Sequence, residues 1–250
     1  LIKLDEKNRE LIQQKEKKEQ EKKLLSKSKD PSNFELSKKL TSEIDELSTS
    51  QDKLHKEIYN ILSNIPNIAH EDVPIGVDEK SNKLIYNKGI VRNFDFKIKS
   101  HVDIGESNNQ IDFRNSSKLS GSRFVILNSN FALLERALIN FMLDTHVNKF
   151  SYKEISPPLL VNENVMFGTG QLPKFEEDQF EIRLSKEEER KFLIPTAEVV
   201  LTNLVRDSVI DSKQLPLRYV AATPCFRKEA GSYGKDTKGM MRQHQFYKVE

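Results

Sequence analysis

Residues 36–65 carry apolar side chains at intervals of three and four, and this spacing restricts the fold more than any other feature of the chain. The positions are Leu36, Leu40, Ile44, Leu47, Leu54, Ile58, Ile61 and Ile65, with Gln51 in the one polar slot. A heptad seam of this kind predicts an amphipathic helix that packs against a second helix.

The partner helix is predicted in residues 1–29, just before the seam. Its apolar positions follow the same register less well, and they are Leu1, Leu4, Leu11, Ile12 and Leu25. The stretch SKSKDPSNFE between the two helices contains Asp30-Pro31 and has the composition of a turn. Residues 1–66 are therefore expected to form an antiparallel helical hairpin, a short coiled coil.

Charge is concentrated in the first of these helices. Charged residues make up 31% of the chain and hydrophobic residues only 36%, so part of the chain is expected to be extended and solvated. Residues 1–29 hold ten Lys and Arg against six Asp and Glu, a net charge of +4. The cluster contains Lys15, Lys17, Lys18, Lys22, Lys23, Lys27 and Lys29. Taken alone, it is typical of the solvated flank of a coiled coil.

The rest of the chain predicts a connector followed by an α+β domain. Residues 67–90 are rich in Pro, Asn and charge and lack periodicity, whereas 91–250 alternate between strand and helix patterns. The predicted elements are a strand at 122–129, a helix at 130–150 capped by Asn130, an edge or interface strand at 151–162, a strand, turn and helix at 190–207 with the turn at Pro195, and a strand at 215–230.

Several classes of protein are excluded by what the sequence lacks. Cys225 is its one cysteine, so it has neither an internal disulfide nor a paired-cysteine zinc site, and no metal ligand is assigned. This cysteine is expected to be a small buried filler, and its isolation favours a reducing cytosol. No window approaches the roughly 18 apolar residues of a membrane span. No GxxxxGK[ST] phosphate-binding loop is present.

The final stretch, CFRKEAGSYGKDTKGMMRQHQFYKVE at 225–250, has two strand-like runs around a glycine-rich loop. Alternation places Arg227 and Glu229 on one face of the first run, and His244, Phe246 and Glu250 on one face of the second. If the runs pair as a hairpin, these residues form one polar face with an aromatic ring in it. The loop is expected to be a mobile cover over that face.

An arginine beside a flat aromatic ring suits a nucleotide. Phe246 can stack on a base, while the guanidinium fork of Arg227 can bind phosphate oxygens. Phe246 and Glu250 are about 13 Å apart along a strand, which fits an aminoacyl-adenylate. A surface hairpin with cross-strand ion pairs explains the geometry equally well.

The same stretch resembles the second signature motif of class II aminoacyl-tRNA synthetases, in the form typical of the seryl-tRNA synthetase family. IPTAEVVLTNL at 194–204 is similar to that family's serine-binding loop, and GTGQLPKF and LSGSRF are similar to other family segments. The basic hairpin resembles the family's tRNA-binding arm. The similar segments follow family order over nearly the whole chain, with Val200 in a position that is more often proline.

The resemblance implies roles for particular residues. ATP is expected to contact Arg227, Lys228, Glu229, Gln243, His244, Gln245 and Phe246, with Arg227 and Glu229 catalytic and Phe246 under the adenine. Serine is expected to contact Thr196, Ala197, Glu198 and Glu250. Transfer RNA is expected to contact Lys15, Lys17, Lys18, Lys22 and Lys23. His244 is expected to shape the site rather than act as a base.

The resemblance also implies an activity, its cofactors and its partners. The expected enzyme is a serine–tRNA ligase that uses ATP and Mg²⁺ to form seryl-adenylate and transfers serine to tRNA(Ser), with tRNA(Sec) as a further acceptor. A homodimer built on the helix 130–150 and Pro158 and a cytoplasmic location are also implied. The family's third motif would follow Glu250, so the domain over 91–250 is expected to be truncated and inefficient in adenylation.

Two other hypotheses stay open at this level. A class II activating enzyme could load an amino acid onto a different carrier, although a carrier protein gives no reason for so long a hairpin. A non-catalytic RNA-binding or coiled-coil adaptor would keep the hairpin, but it has no need of the Arg, Phe and Glu face.

Overall fold

The computed structural model describes residues 1–28, 33–183, 189–231 and 239–250. The chain divides into two compact units, Leu1–Ile85 and Tyr86–Glu250. The predicted turn at Asp30-Pro31 and most of the predicted glycine-rich cover lie outside the described residues. The division of function among residues 1–66, 67–90 and 91–250 stays a prediction.

Two long helices form the first unit, α1 (Ile2–Ser28) and α2 (Asn33–Asn64). Lys15 donates a hydrogen bond to the Ser48 hydroxyl at 3.3 Å, and Lys18 forms an ion pair with Glu43 at 2.5 Å. Later positions on α1 thus meet earlier positions on α2, so the helices are antiparallel. The predicted helical hairpin is confirmed.

The heptad seam is buried in its middle part. Leu40, Leu54 and Ile58 are buried, whereas Leu36 and Ile65 at the two ends are 48% and 51% exposed. Apolar burial at heptad spacing is the main stabilising term available to such a pair, because both outer faces are solvated. After α2, the described residues of the unit contain a single 3₁₀ turn, Glu79–Ser81.

The second unit mixes short helices and short strands. Its helices are α3 (His101–Ser107), α4 (Phe113–Ser120), α5 (Ser129–Phe150), α6 (Glu163–Gly168) and α7 (Glu198–Asn203). Its strands are β1 (Ile111–Asp112), β2 (Ile126–Leu127), β3 (Lys153–Glu154), β4 (Leu160–Asn162), β5 (Glu181–Ile182), β6 (Lys191–Leu193), β7 (Tyr219–Val220), β8 (Ala222–Phe226) and β9 (Gln245–Val249).

Most of the strand pairs are antiparallel. Within the described ranges, β1 pairs with β2, β6 lies between β4 and β5, and β8 pairs with β9, all antiparallel, while β3 and β7 run parallel. The strands that flank the prolines of 151–162 lie at sheet edges, as proline in a strand requires. The predicted α+β class is confirmed.

The core of this unit lies between β4, β6, α6 and α7. Phe192, Ile194 and Met166 are fully buried there, together with Val199 on α7. A second, smaller cluster joins Ala197 and Leu201 to Ala221 beside β8. Because apolar side chains hold both ends of the segment 194–201, the polar residues between them have a fixed position.

Two details of the predicted elements are wrong. The residue that precedes α5 is Asn128 rather than Asn130, and its side chain forms no capping hydrogen bond. The side-chain oxygen of Gln110 instead accepts from the Phe131 amide at 3.1 Å, a contact from a distant part of the sequence. The strand predicted at 122–129 is reduced to β2, because Arg123 has a left-handed backbone with φ of 64°.

None of the described helices combines the length and the apolar character that crossing a membrane demands. Helix α5 nevertheless has no buried residue and exposes Leu133, Leu134, Leu138 and Phe141.

Ile194→Ala is expected to lower the free energy of unfolding of the second unit by about 2–5 kcal/mol, because it leaves a cavity in the core. Urea denaturation followed by circular dichroism measures the change. Ile90 is 99% exposed, so Ile90→Ala is the matched control and should shift stability by no more than about 0.5 kcal/mol. Equal effects of the two variants would contradict this description of the core.

Candidate active site

The pairing register of β8 and β9 builds the floor of the site. Cys225 lies opposite Phe246, and Thr223 lies opposite Lys248. Backbone hydrogen bonds extend the ladder to Ala221 and Glu250 at one end, and the Arg227 amide donates to the His244 carbonyl at 3.0 Å at the other. Directly paired residues of an antiparallel ladder point to the same side. Arg227, Phe246, Lys248 and Glu250 therefore share one face, as the alternation predicts.

The segment 194–198 lies against this floor. The Phe226 amide donates to the Ile194 carbonyl at 2.9 Å, and the Arg227 Nε donates to the Pro195 carbonyl at 3.2 Å. A cavity of about 550 Å³ opens between the two elements. Its lining includes Gln171, Phe175, Asp178, Gln179, Pro195, Thr196, Arg227, Glu229, Gly231 and Arg242. This volume is in the range of small-molecule and cofactor sites.

A closed set of hydrogen bonds joins Thr196, Lys248 and Glu250. The Thr196 hydroxyl donates to Oε2 of Glu250. Lys248 Nζ donates to the Thr196 hydroxyl at 3.0 Å and to Oε1 of Glu250 at 2.7 Å. The Glu198 amide adds a hydrogen bond to Oε2 of Glu250 at 3.2 Å.

These contacts keep Glu250 ionised. Burial alone raises the pKa of its carboxyl group, because the charged form loses solvation. The hydrogen bonds from Lys248, Thr196 and the Glu198 amide outweigh burial, so the pKa lies below its ordinary value. Beneath the network, burial raises the pKa of the Cys225 thiol, which is fully buried as predicted.

Arg227 lies over the ring of Phe246, with its guanidinium carbon 5.2 Å from the ring centroid. The bond from its Nε to Pro195 fixes the guanidinium plane, and its terminal amino groups bind no residue in the described ranges. The side chain is half-buried at the cavity wall. Arg227 can therefore offer a pair of parallel donors to an oxyanion.

Glu229 and Arg242 form an ion pair at 2.7 Å where the glycine-rich stretch leaves and rejoins the ribbon. Glu229 has a left-handed backbone with φ of 53°, and its carbonyl accepts from Arg123 at 3.1 Å. The neighbouring Ala230 amide donates to the Asp178 carboxylate at 2.8 Å. Long-range polar contacts thus fix the end of β8 at the cavity.

Other residues that the sequence assigns to ATP lie outside the cavity lining. Lys228 is exposed and has its ammonium 5.9 Å from the Phe180 ring. Gln243, Gln245 and Phe246 line a separate groove beside α4 and β2. His244 Nδ1 donates to the Arg227 carbonyl at 2.9 Å and its ring packs between Phe124 and Phe180. This contact holds the ribbon, in agreement with a shaping role.

The residues assigned to serine divide into two groups. Thr196 and Glu250 meet in the network described above. Glu198 begins α7 with an exposed side chain whose carboxylate has no hydrogen bond within the described ranges. Ala197 is fully buried and packs with Leu201, so only its backbone is available to a ligand.

The lysines of the hairpin also differ among themselves. Lys15 and Lys18 bind Ser48 and Glu43 on the partner helix, and the hydrogen bond to Glu43 raises the pKa of Lys18. Lys22 is partly covered, whereas Lys17 and Lys23 are exposed. The outward charges of α1 are therefore fewer than its lysine count indicates.

The cavity offers few carboxylates to a metal ion. Asp178 and Glu229 are the carboxylates that line the cavity, and Glu229 is paired with Arg242. Across the described ranges, no three His, Cys, Asp or Glu side chains cluster closely enough to hold a metal ion.

Sequence reasoning missed the roles of Lys248, Asp178 and Arg123. Lys248 carried a usable signal, because alternation places it on the same face as Phe246 and Glu250. Asp178 and Arg123 carried none, since their contacts with the ribbon cross 52 and 106 positions of sequence.

Residues 178–250 match the family model of the tRNA synthetase class II core domain (G, H, P, S and T). The matched range contains the antiparallel β8–β9 ribbon with Arg227 and Phe246. Serine–tRNA ligase of Pelagibacter ubique is 61% identical over the full 250 residues, and that of Wolbachia pipientis subsp. Culex pipiens is 51% identical over 90% of the chain.

Two solved structures show the same similarity at the level of the fold. Seryl-tRNA synthetase from Pyrococcus horikoshii complexed with ATP has a TM-score of 0.85 and 34% identity, covering 99% of this chain and 61% of that one. Serine–tRNA ligase from Naegleria fowleri in complex with AMP has a TM-score of 0.82 and 28% identity, covering 99% of this chain and 57% of that one. Over its full length the chain is similar to seryl-tRNA synthetases.

The chain spans 60% of the length of the Pelagibacter relative and 52% of the Wolbachia relative. The similar proteins are named as serine–tRNA ligases, not as carrier-loading enzymes or adaptors.

Glu250→Gln tests the charged network through its pH dependence. The folded pKa of Glu250 is depressed, so its contribution to stability is complete above the ordinary glutamate pKa and is lost as the pH falls through the folded pKa. We expect the variant to be less stable than the wild type by about 1–2 kcal/mol near pH 7, and the difference to shrink below about pH 4.

Thermal midpoints measured across that pH range check this expectation. Glu177→Gln, at an exposed carboxylate outside the Glu250 network, is the control and should give no such trend. A Glu250→Gln deficit that is the same at every pH would contradict the ionised network.

Proposed function

We propose that the cavity between 194–198 and the β8–β9 ribbon activates L-serine with ATP, as part of a serine–tRNA ligase. The observation that carries this proposal is that Arg227 and Thr196 line one cavity, and that the Thr196 hydroxyl is hydrogen-bonded to Lys248 and Glu250 behind it. A cation for phosphate and a polar pocket for a small hydroxyl amino acid then lie side by side.

Serine recognition would use the groups at the start of α7. The exposed carboxylate of Glu198 suits the ammonium of serine, and Glu250 with Thr196 suits its hydroxyl. A site whose polar groups are bonded to a hydroxyl discriminates strongly against alanine, because those groups would be left unpaired. A backbone contact through Ala197 would complete the pocket.

The proposed reaction is an in-line displacement. The serine carboxylate attacks the α-phosphorus of ATP, pyrophosphate leaves, and seryl-adenylate forms. Charge builds on the phosphate oxygens, so positioning and fixed cations supply most of the acceleration. Arg227 would bind those oxygens through its free amino groups, with its plane already set by Pro195.

Adenine would stack on Phe246. The guanidinium of Arg227 covers that ring here, so nucleotide binding would shift the guanidinium towards the phosphate and free the ring face. Glu229, held by Arg242, would act at the rim of the cavity. Contacts from Lys228, Gln243, His244 and Gln245 to ATP stay predictions, with backbone contacts as the route open to His244.

Transfer to tRNA would follow, by attack of the 3′-terminal hydroxyl on seryl-adenylate. The helical hairpin would contact tRNA(Ser), and tRNA(Sec) as a second acceptor, through phosphate neutralisation and RNA shape. The exposed side chains of Lys17 and Lys23 suit this role best, with Lys22 beside them. Lys15 and Lys18 would mainly hold the two helices together.

The proposal includes a homodimer, Mg²⁺ and a cytoplasmic location. The dimer is supported by the apolar side chains that α5 exposes, Leu133, Leu134, Leu138 and Phe141, which a second copy could cover. Asp178 and Glu229 are the described cavity carboxylates that could share a magnesium ion with the ATP phosphates, and no step of the mechanism is assigned to that ion. The single buried cysteine suits a reducing compartment.

Arg227→Ala should lower serine-dependent ATP–pyrophosphate exchange by about 10²–10³-fold, because the charge on the α-phosphate loses its fixed cation. The assay uses the complete gene product, with tRNA binding measured in parallel and expected to be unchanged. Arg206→Ala, a surface arginine that binds the Asn164 carbonyl, is the control. Full exchange activity in Arg227→Ala would sink the assignment.

Reversing the charge of Lys17 and Lys23 together should weaken tRNA binding by at least about tenfold and reduce its salt dependence, since phosphate contacts are lost. Serine-dependent exchange should be unchanged. The matched control reverses Lys53 and Lys56, two exposed lysines of α2. If both double variants bind tRNA equally well, the hairpin does not use the outward lysines of α1.

A further inference from the structure

Lys248 occupies an unusual position for a lysine. Its side chain is 36% exposed, and two of its three ammonium protons are used within the network, one for Thr196 and one for Glu250. The network contains three side chains and three mutual hydrogen bonds. No role in the proposed chemistry is yet assigned to this residue.

Because lysine can only donate hydrogen bonds, it determines which atom donates and which accepts throughout the network. An ammonium group has no acceptor, so the Thr196 oxygen must accept from Lys248 and direct its own proton to Glu250. The Thr196 hydroxyl, which could otherwise rotate, is thereby fixed. Both oxygens of Glu250 are also fixed, since Oε1 binds Lys248 and Oε2 binds Thr196 and the Glu198 amide.

Lys248 also balances the negative charge of Glu250. The charged groups near it are Arg227 after β8, Glu198 at the start of α7, and Glu250 itself. Arg227 is directed to Pro195 and Phe246, so Lys248 is the cation that contacts Glu250. Glu198 keeps its carboxylate for a ligand.

We propose that Lys248 is a positioning residue of the serine subsite, which holds the Thr196 hydroxyl and the Glu250 carboxylate in the arrangement that receives the substrate hydroxyl. The inference rests on the proposed function and adds a residue that contributes to the specificity of the site for serine. Lys248 acts through Thr196 and Glu250, and it does not touch the reacting atoms.

The test compares Lys248→Met, which keeps the length and removes the charge, with Lys248→Arg, which keeps the charge. Lys191 is the matched control, because it is a half-buried strand lysine that donates to the neutral Asn162 side chain rather than to Thr196 or Glu250. The complete gene product is assayed by serine-dependent ATP–pyrophosphate exchange, with KM for serine, KM for ATP and the thermal midpoint measured for each variant.

Lys248→Met is expected to raise the KM for serine by at least about tenfold and to leave the KM for ATP unchanged. The acid limb of kcat/KM for serine should move to higher pH, because Glu250 loses its contacting cation. Lys248→Arg should restore the acid limb, and Lys191→Met should match the wild type. If Lys248→Met does not fold, Lys248→Gln replaces it with the same expectations.

A purely structural role gives a different result. The thermal midpoint would then fall while the KM for serine and the acid limb stayed at their wild-type values, and this outcome overturns the inference. A proportional rise in both KM values does so too.

A second measurement does not depend on activity. The side-chain carboxyl carbon of Glu250, Cδ, is followed by ¹³C NMR in the 250-residue chain without ligand. It should titrate at higher pH in Lys248→Met than in the wild type or Lys191→Met. Unchanged titration overturns the inference even if serine is the substrate. Absence of serine-dependent exchange in the wild type overturns the proposed function, and the titration then still decides whether Lys248 positions Glu250.

Discussion

The pairing of Cys225 with Phe246 is the constraint on which the rest of the site depends. Because the strand period is two, this register places Arg227 and Glu250 on the same side of the ribbon, and a slip by one residue would separate them. The backbone bonds at Ala221 and Arg227 extend the register past both strand ends.

The second element of the site is fixed by apolar packing rather than by the ribbon. Ile194 and Val199 are fully buried on either side of Thr196, so the polar segment between them is held against β8. Polar and apolar restraints meet at Thr196, whose hydroxyl joins Lys248 and Glu250. A site held in this way is preorganised, which favours charge stabilisation over proton transfer as the proposed source of catalysis.

The sequence predicted most of this arrangement because its strongest signals are periodic. The heptad seam at Leu40 to Ile58 gave the helical pair, and alternation around Phe246 gave the shared face. Contacts that leave no local pattern in the sequence could not be predicted from it. Examples are the cap of α5 by Gln110 and the hydrogen bond from the Ala230 amide to Asp178. The lysines of α1 looked equivalent in sequence, but their partners on α2 separate those that face inward from those that face out.

The most direct test of the central claim is a crystal structure of the complete gene product with a seryl-sulfamoyl adenosine, whose sulfamoyl group stands in for the α-phosphate. In that structure we expect the sulfamoyl oxygens within hydrogen-bond distance of the Arg227 guanidinium, the seryl hydroxyl at Glu250 and Thr196, and adenine on the Phe246 ring. An analogue bound away from the face shared by Arg227 and Glu250 would contradict this expectation.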